Sequence, residues 1–203
     1  MKIIGLTGPS GAGKSTVAGF FAAYGIPTID ADRVYHDILS APGPCTDELT
    51  ATFGRDVLNE SGLVDRKKLG AAVFGKADTP ARLQTLNEIT HKYVMAQVEK
   101  ETAALRRRGV RAVLFDAPQL FEAGADRKCD LVIGVLADRD HRLRRIMRRD
   151  GIDKAAAIAR LDAQKPDDFY RARCQLILEN NDDESIVAAK IRDFLIRSDL
   201  GLA

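Results

Sequence analysis

Cysteine is scarce in this chain of 203 residues: there are three, Cys45, Cys129 and Cys174, an odd number set far apart. That excludes a disulfide framework and a close-spaced zinc site, and it reads as a reducing compartment. A surplus of one charge is lacking as well, since 31 Lys and Arg stand against 29 Asp and Glu for a formal net charge of +2. The surface as a whole therefore draws in neither nucleic acid nor an acidic membrane, and any basic site has to be local. Long apolar runs are missing too. The opening segment Met1 to Thr7 is too short for the hydrophobic region of a signal peptide, and no later stretch approaches the roughly 18 apolar residues of a membrane span. A soluble, cytoplasmic protein is expected, with no membrane and no nucleic acid as partner. Repeats and low-complexity tracts are absent, and no residue pattern specifies an oligomeric state.

What is present is a foldable composition, 45% hydrophobic and 30% charged, enough for one globular domain with small insertions. Short apolar runs recur at Lys2 to Thr7, Pro27 to Ile29, Val110 to Phe115, Leu131 to Leu136 and Leu176 to Leu178, with helical patterns between them. These runs are continuously apolar instead of alternating, and the segments between them are long enough for crossover helices. An α/β fold with five buried strands in a parallel sheet, covered on both faces, is predicted.

The second and third strands are separated by about eighty residues, far more than one crossover helix requires, so a helical insertion is expected there. Pro42-Gly43-Pro44 breaks the chain inside it, Asp65 reads as the N-cap of a helix through Lys68, Leu69 and Val73, and Thr79-Pro80 reads as an N-cap followed by proline at the first helical position. Leu83, Leu86, Ile89, Tyr93, Val94 and Val98 then recur at three- to four-residue spacing, a long amphipathic helix that runs to Arg106 and stops near Gly109.

The sharpest chemical signal follows the first strand. Gly8-Pro9-Ser10-Gly11-Ala12-Gly13-Lys14-Ser15-Thr16 matches a phosphate-binding loop, and Val17, Phe20, Phe21 and Tyr24 continue it at helical spacing. Backbone N–H groups must wrap phosphate oxygens, and side chains on the loop would block that approach, which is why glycines are needed. Lys14 supplies a mobile cation for the β- and γ-phosphates, Ser15 a hydroxyl for Mg²⁺, and the helix points its positive end at the anion.

Such a loop specifies a nucleotide and leaves the reaction open. Asp116 closes the run Val113-Leu114-Phe115, where an acid holds Mg²⁺ through water or simply ends a solvated strand. A switch GTPase requires a glycine three residues later and an Asn-Lys-x-Asp guanine reader, and neither occurs. Ile29-Asp30-Ala31-Asp32 puts two carboxylates at the C-terminal end of the second strand, the edge on which open α/β sheets bind ligands. One of Asp30 and Asp32 suits a general base for an attacking alcohol; each also suits the cap of the helix through Val34, Tyr35 and Ile38. Between Arg139 and Arg149 stand six arginines on one helical pattern, with Leu143, Ile146 and Met147 on its apolar side. Most of them read as a solvated basic face. Arg145 and Arg149 lie one turn apart and are the pair expected to reach the ATP phosphates from a lid.

Taken together these blocks resemble the dephospho-CoA kinases, and the likeness covers nearly the whole chain. It rests on Ile4 through Val17, on Gly25-Ile26 leading to Ile29-Asp30-Ala31-Asp32, and on Phe53-Gly54, Gly62 to Arg66 and Val73-Phe74 of the insertion. Further on, it rests on Asp116 to Glu122, on Arg145 with Arg148-Arg149-Asp150, on Arg160 with Gln164, and on Ile177 to Asn181. The resemblance implies a phosphate-loop kinase core (residues 1–32, 110–137 and 174–203), a helical acceptor-binding insertion (33–109) and a lid (138–173). It implies transfer from ATP, with Mg²⁺, to the ribose 3′-hydroxyl of dephospho-CoA to give CoA. The roles it implies are Asp32 as base, Lys14 and Arg145 as catalytic cations, and Ser15 and Asp116 toward the metal. ATP is expected at Gly8, Gly11, Ala12, Gly13, Lys14, Ser15, Thr16, Arg145, Arg149 and Asn180, with the loop after the final strand bordering the adenine. The sequence departs from the family at Gln119, at Thr90-His91-Lys92 and at Cys174-Gln175. The competing readings are another nucleoside or nucleotide kinase, and a nucleotide-dependent switch, which has no use for an acid aimed at an alcohol.

Overall fold

The computed structural model describes residues 1–181 and 184–198. In chain order the elements are β1 (Lys2–Thr7), α1 (Lys14–Ala23), β2 (Thr28–Asp30), α2 (Ala31–Leu39), α3 (Pro44–Phe53), α4 (Arg66–Val73) and α5 (Thr79–Arg107). There follow β3 (Ala112–Asp116), β4 (Leu131–Leu136), α6 (Arg139–Asp150), α7 (Lys154–Asp162), α8 (Asp167–Arg171), β5 (Leu176–Glu179) and α9 (Glu184–Arg197). Each of the five apolar runs becomes a strand, shifted by no more than two residues at either end. Among the described residues no helix is long and apolar enough to cross a membrane.

The chain divides into two compact units, Met1–Ile29 with Leu105–Ala203, and Asp30–Ala104. The strands form one sheet in the order β2-β3-β1-β4-β5, with β1 parallel to both β3 and β4, and β4 parallel to β5. Central β1 therefore has β3 on one side and β4 on the other. Its C-terminal end is the topological switch point, where an open α/β sheet leaves a crevice for ligands. Ile4 and Leu6 project from β1 to one face, where they bury completely with Val17 and Phe21 of α1, Ile133 and Val135 of β4, and Val187 and Ile191 of α9. Each such large apolar side chain contributes about 1.5–3 kcal/mol, so β1 and α1 are held firmly on either side of the loop that joins them. Gly5 faces the other way, where an added Cβ would stand 2.9 Å from Cys129 Sγ and 2.9 Å from Leu120.

Residues 30–104 have their own core of Leu39, Leu49, Val57, Leu69, Val73 and Ile89. The local signals act here as their chemistry dictates. Asp65 Oδ1 accepts from the N–H groups of Lys67 (2.8 Å) and Lys68 (3.1 Å), capping α4. Helix α5 starts one residue earlier than the Thr79-Pro80 signal implies. Thr79 is its first residue, not its cap, and its hydroxyl turns back to donate to the Lys76 carbonyl (2.7 Å). The far end is a glycine stop: Gly109 (φ +76) donates to Arg106 O and Val110 to Leu105 O, the paired bonds that close a helix through a left-handed residue.

Candidate active site

The loop between β1 and α1 is shaped at three glycines, Gly8, Gly11 and Gly13, with φ of +149, +80 and +93. Space forbids a side chain at each of them as firmly as conformation does. A Cβ on Gly8 would lie 2.2 Å from the Val135 carbonyl oxygen, one on Gly11 2.8 Å from the Arg142 carbonyl oxygen, and one on Gly13 2.1 Å from Asn180 Nδ2. The motif thus does more than permit a turn. It lets β4, α6 and the end of β5 press directly against the loop.

Those neighbours hold the loop by its carbonyl groups. Arg142 Nε donates to Ser10 O (3.1 Å), Arg145 Nη1 to Gly11 O and Ala12 O (3.3 Å each), and Asn180 Nδ2 to Ala12 O (2.7 Å). Within a planar trans peptide the C=O and the following N–H point in opposite directions. Pinning Ser10 O and Ala12 O toward α6 and β5 therefore turns the N–H groups of Gly11 and Gly13 to the other side; the intervening Ala12 N–H closes a turn on Pro9 O (3.2 Å). The first helical bond of α1 runs from Val17 N to Gly13 O, so the N–H groups of Lys14, Ser15 and Thr16 precede it. Together they form a positive concavity at a helix N-terminus, the arrangement that binds phosphate.

The candidate side chains sit around this concavity as follows. Lys14 is half-buried, and its Nζ rests on Gly8 O at 3.3 Å. Ser15 is exposed in the first turn of α1. Asp116 ends β3 and pairs in register with Leu6, which places it beside the end of β1. Of the six arginines on α6, Arg144 and Arg148 are exposed, as a solvated face requires. Arg139 pairs with Asp162 (2.6 Å) at the surface. Arg145 and Arg149 both reach the loop, Arg149 Nη2 donating to Ser10 Oγ at 3.3 Å while its Nε holds Asp150 at 2.8 Å. Arg145 also donates through Nη2 to Asn180 O (2.9 Å), so Arg145, Asn180 and Ala12 form a closed set. Asn180 is 3% exposed. Part of the loop after the final strand, residues 182 and 183, lies outside the described residues, as do residues 199–203 at the end of the core segment.

Arg142 is a site residue that the helical pattern alone does not single out. The available signal was its phase, because Arg142, Arg145 and Arg149 repeat at three and four residues and share one face. Gln164 also reaches the loop, accepting at Oε1 from Ser10 N (3.1 Å). Behind the sheet edge, Gln175 fills its departure from the family with a local role, accepting from Val132 N (2.7 Å) at the start of β4.

In residues 30–104, Asp30 Oδ1 accepts from Asp32 N (2.9 Å) and Arg33 N (3.1 Å), which makes Asp30 the cap of α2. Asp32 is exposed in the first turn of that helix. Lys92, another departure from the family, donates to Glu48 (2.5 Å), which also accepts from Tyr93 Oη (2.6 Å). Hydrogen bonds from Lys92 and then Tyr93 hold the Glu48 carboxyl below its usual range. The cysteines are free, and burial pushes the thiols of Cys45 and Cys174 up to about 11 and that of Cys129 up to about 12. They stay protonated at neutral pH and supply no nucleophile.

A family model described as dephospho-CoA kinase matches residues 2–185 of the chain. The dephospho-CoA kinase of Anaeromyxobacter dehalogenans is 42% identical over 190 residues, 94% of this chain and 89% of that protein. Among solved structures, a protein from Thermus thermophilus superposes with a TM-score of 0.81 at 30% identity, covering 97% of each chain. The dephospho-CoA kinase from Campylobacter jejuni superposes with a TM-score of 0.71 at 25% identity, covering 98% of this chain and 100% of its own. With the phosphate loop at the switch point of the sheet and the match extending across the helical insertion, the chain belongs to the dephospho-CoA kinase family.

Proposed function

We propose that the protein transfers the γ-phosphoryl group of ATP to the ribose 3′-hydroxyl of dephospho-CoA, releasing CoA and ADP. The observation that carries this reading is the phosphate loop at the end of β1, whose carbonyls are pinned by α6 and Asn180 so that its N–H groups face a ligand. Residues 1–32, 110–137 and 174–203 act as the nucleotide core, residues 33–109 receive the acceptor, and residues 138–173 form the lid.

Phosphoryl transfer has a loose transition state, so the protein's task is mostly positioning and neutralisation of charge. The concavity formed by Gly8, Gly11, Ala12, Gly13 and the first turn of α1 takes the phosphate oxygens, and Lys14 follows the charge as it develops. Ser15 and Asp116 offer a hydroxyl and a carboxylate, the hard oxygen donors that Mg²⁺ takes beside ATP phosphates and water. Among the described residues no three acidic, histidine or cysteine side chains cluster to hold a cation. Held there, Mg²⁺ would neutralise the β- and γ-phosphates. Asp32 accepts the proton of the attacking hydroxyl. Arg149 meets the phosphate chain from the exposed side of α6.

A coupled assay of ADP release with and without dephospho-CoA, followed by phosphorus NMR of the product, tests the acceptor. The expected product carries its new phosphate on the 3′-oxygen. Transfer to a nucleoside monophosphate with dephospho-CoA inert would overturn the acceptor and leave a kinase.

Arg145 acts on the nucleotide side. Arg145→Ala removes the donor shared by Gly11 O and Ala12 O and is expected to lower turnover about tenfold or more, with dephospho-CoA affinity nearly unchanged. Steady-state kinetics with each substrate varied in turn checks this. A pure loss of acceptor affinity would move α6 to the acceptor side.

A further inference from the structure

Arg142 presents a physical puzzle. The residue is 8% exposed, its Nη1 lies 3.5 Å from the Asp167 carboxylate, and its Nη2 is buried with no hydrogen-bond partner among the described residues. A guanidinium so placed is expensive, because burial removes its water while an ion pair at that distance returns little of the charge's hydration. Desolvation accordingly lowers its pKa, with Asp167 and Tyr170 opposing. A leucine would fill the same turn of α6 beside buried Ile146 at no such cost. Costs of this kind collect where function requires them.

What the residue does with its position is specific. The inner nitrogen, Nε, donates to Ser10 O at 3.1 Å, while Ser10 N is taken by Gln164 at 3.1 Å. Ser10 is thus gripped at both of its backbone groups. The backbone of α6 meets the next residue as well, since a Cβ on Gly11 would stand 2.8 Å from Arg142 O and 3.0 Å from its Cα. We propose that Arg142 is a positioning residue for phosphoryl transfer, fixing the Ser10–Gly11 peptide so that the Gly11 N–H is presented to the nucleotide phosphates. It acts through the loop and touches neither substrate. Asp167, on α8, balances the charge, which joins α6 and α8 to the shape of the loop. This rests on the reading that the loop binds the phosphates of ATP.

Glutamine separates donor from charge. Its Nε2 lies the same number of bonds from the backbone as arginine Nε, so Arg142→Gln keeps a donor for Ser10 O and loses the cation, whereas Arg142→Leu loses both. The comparison uses KM and kcat for each substrate, together with equilibrium binding of a fluorescent ATP analogue and thermal melting of each variant. Arg142→Leu is expected to raise the KM for ATP about tenfold and weaken the analogue similarly, with the KM for dephospho-CoA unchanged and a melting temperature no lower than that of the wild type. Arg142→Gln is expected to stay within about threefold of the wild type in every parameter.

Equal impairment of the two variants would overturn the proposal, because the charge and not the donor would then matter. So would wild-type kinetics in Arg142→Leu, or an effect confined to dephospho-CoA. The wild-type arms keep the premise separate. A wild type that binds the analogue but ignores dephospho-CoA refutes the acceptor and leaves the nucleotide comparison intact, and one that binds no nucleotide refutes the reading of the loop and the proposal with it.

Discussion

Replacing Lys14 by alanine is expected to lower turnover on the order of 10²-fold or more while leaving the fold intact. The structural cost is small, since the hydrogen bond that the substitution removes, to the Gly8 carbonyl (3.3 Å), is worth about 1 kcal/mol. The functional cost is expected to be large because, on the proposed reading, Lys14 brings a mobile cation to a concavity of fixed backbone dipoles. On the proposed reading, the peptides turned by Arg142 and Asn180 serve ground and transition states alike, whereas a flexible ammonium follows charge from the β- to the γ-phosphate. Steady-state turnover of the purified variant, with circular dichroism and thermal melting alongside, checks both halves. A folded variant of near-normal turnover would refute the assignment of the loop.

Asp32→Asn is expected to reduce turnover roughly 10²- to 10⁴-fold while nucleotide binding survives. The lower end of the range follows from the loose transition state, in which the attacking hydroxyl requires little activation. Asp30→Asn is the matched control. The Asp30 side chain is committed to the N-terminus of α2, accepting from the N–H groups of Asp32 and Arg33, and asparagine caps helices about as well as aspartate. Asp30→Asn should therefore change turnover no more than a few-fold and stability hardly at all. Rapid-quench measurement of product formation, with analogue affinity determined separately, compares the two. Equal damage would show that the two carboxylates act as a pair or that the base has been misassigned.

The choice between these two acids shows where a linear reading stops. Asp30 and Asp32 are the same residue type two positions apart, and helix capping and proton transfer both draw on an exposed carboxylate. Only the backbone decides: β2 ends at Asp30, whose extended conformation lets its side chain fold over the first turn of α2, and that occupies it. Thr79 teaches the same lesson in miniature. Its type suits a cap, and the chain uses its hydroxyl one residue inside the helix, bonded back to Lys76.

By itself the sequence determined whatever depends on local chemistry or on simple periodicity. Continuous apolar runs of strand length, with helical patterns between them, favoured buried strands in a parallel sheet, and the structure has all five. Glycines with Lys-Ser after the first strand can hardly be other than a phosphate loop, and the long gap before the third strand had to contain helices. The tertiary structure alone decided which parts of the chain hold that loop. Arg142 and Gln164 lie 132 and 154 positions from Ser10 along the chain, and Asn180 lies 168 from Ala12, yet the parallel order β3-β1-β4-β5 brings the ends of β4 and β5 to the end of β1. There each arginine's role depends on whether its nitrogen meets a carbonyl, a carboxylate or water. Helical phase set Arg145 and Arg149 apart among the six arginines in the sequence, and packing against the loop, which buries Arg142 and leaves Arg144 and Arg148 in solvent, is what adds Arg142 to them.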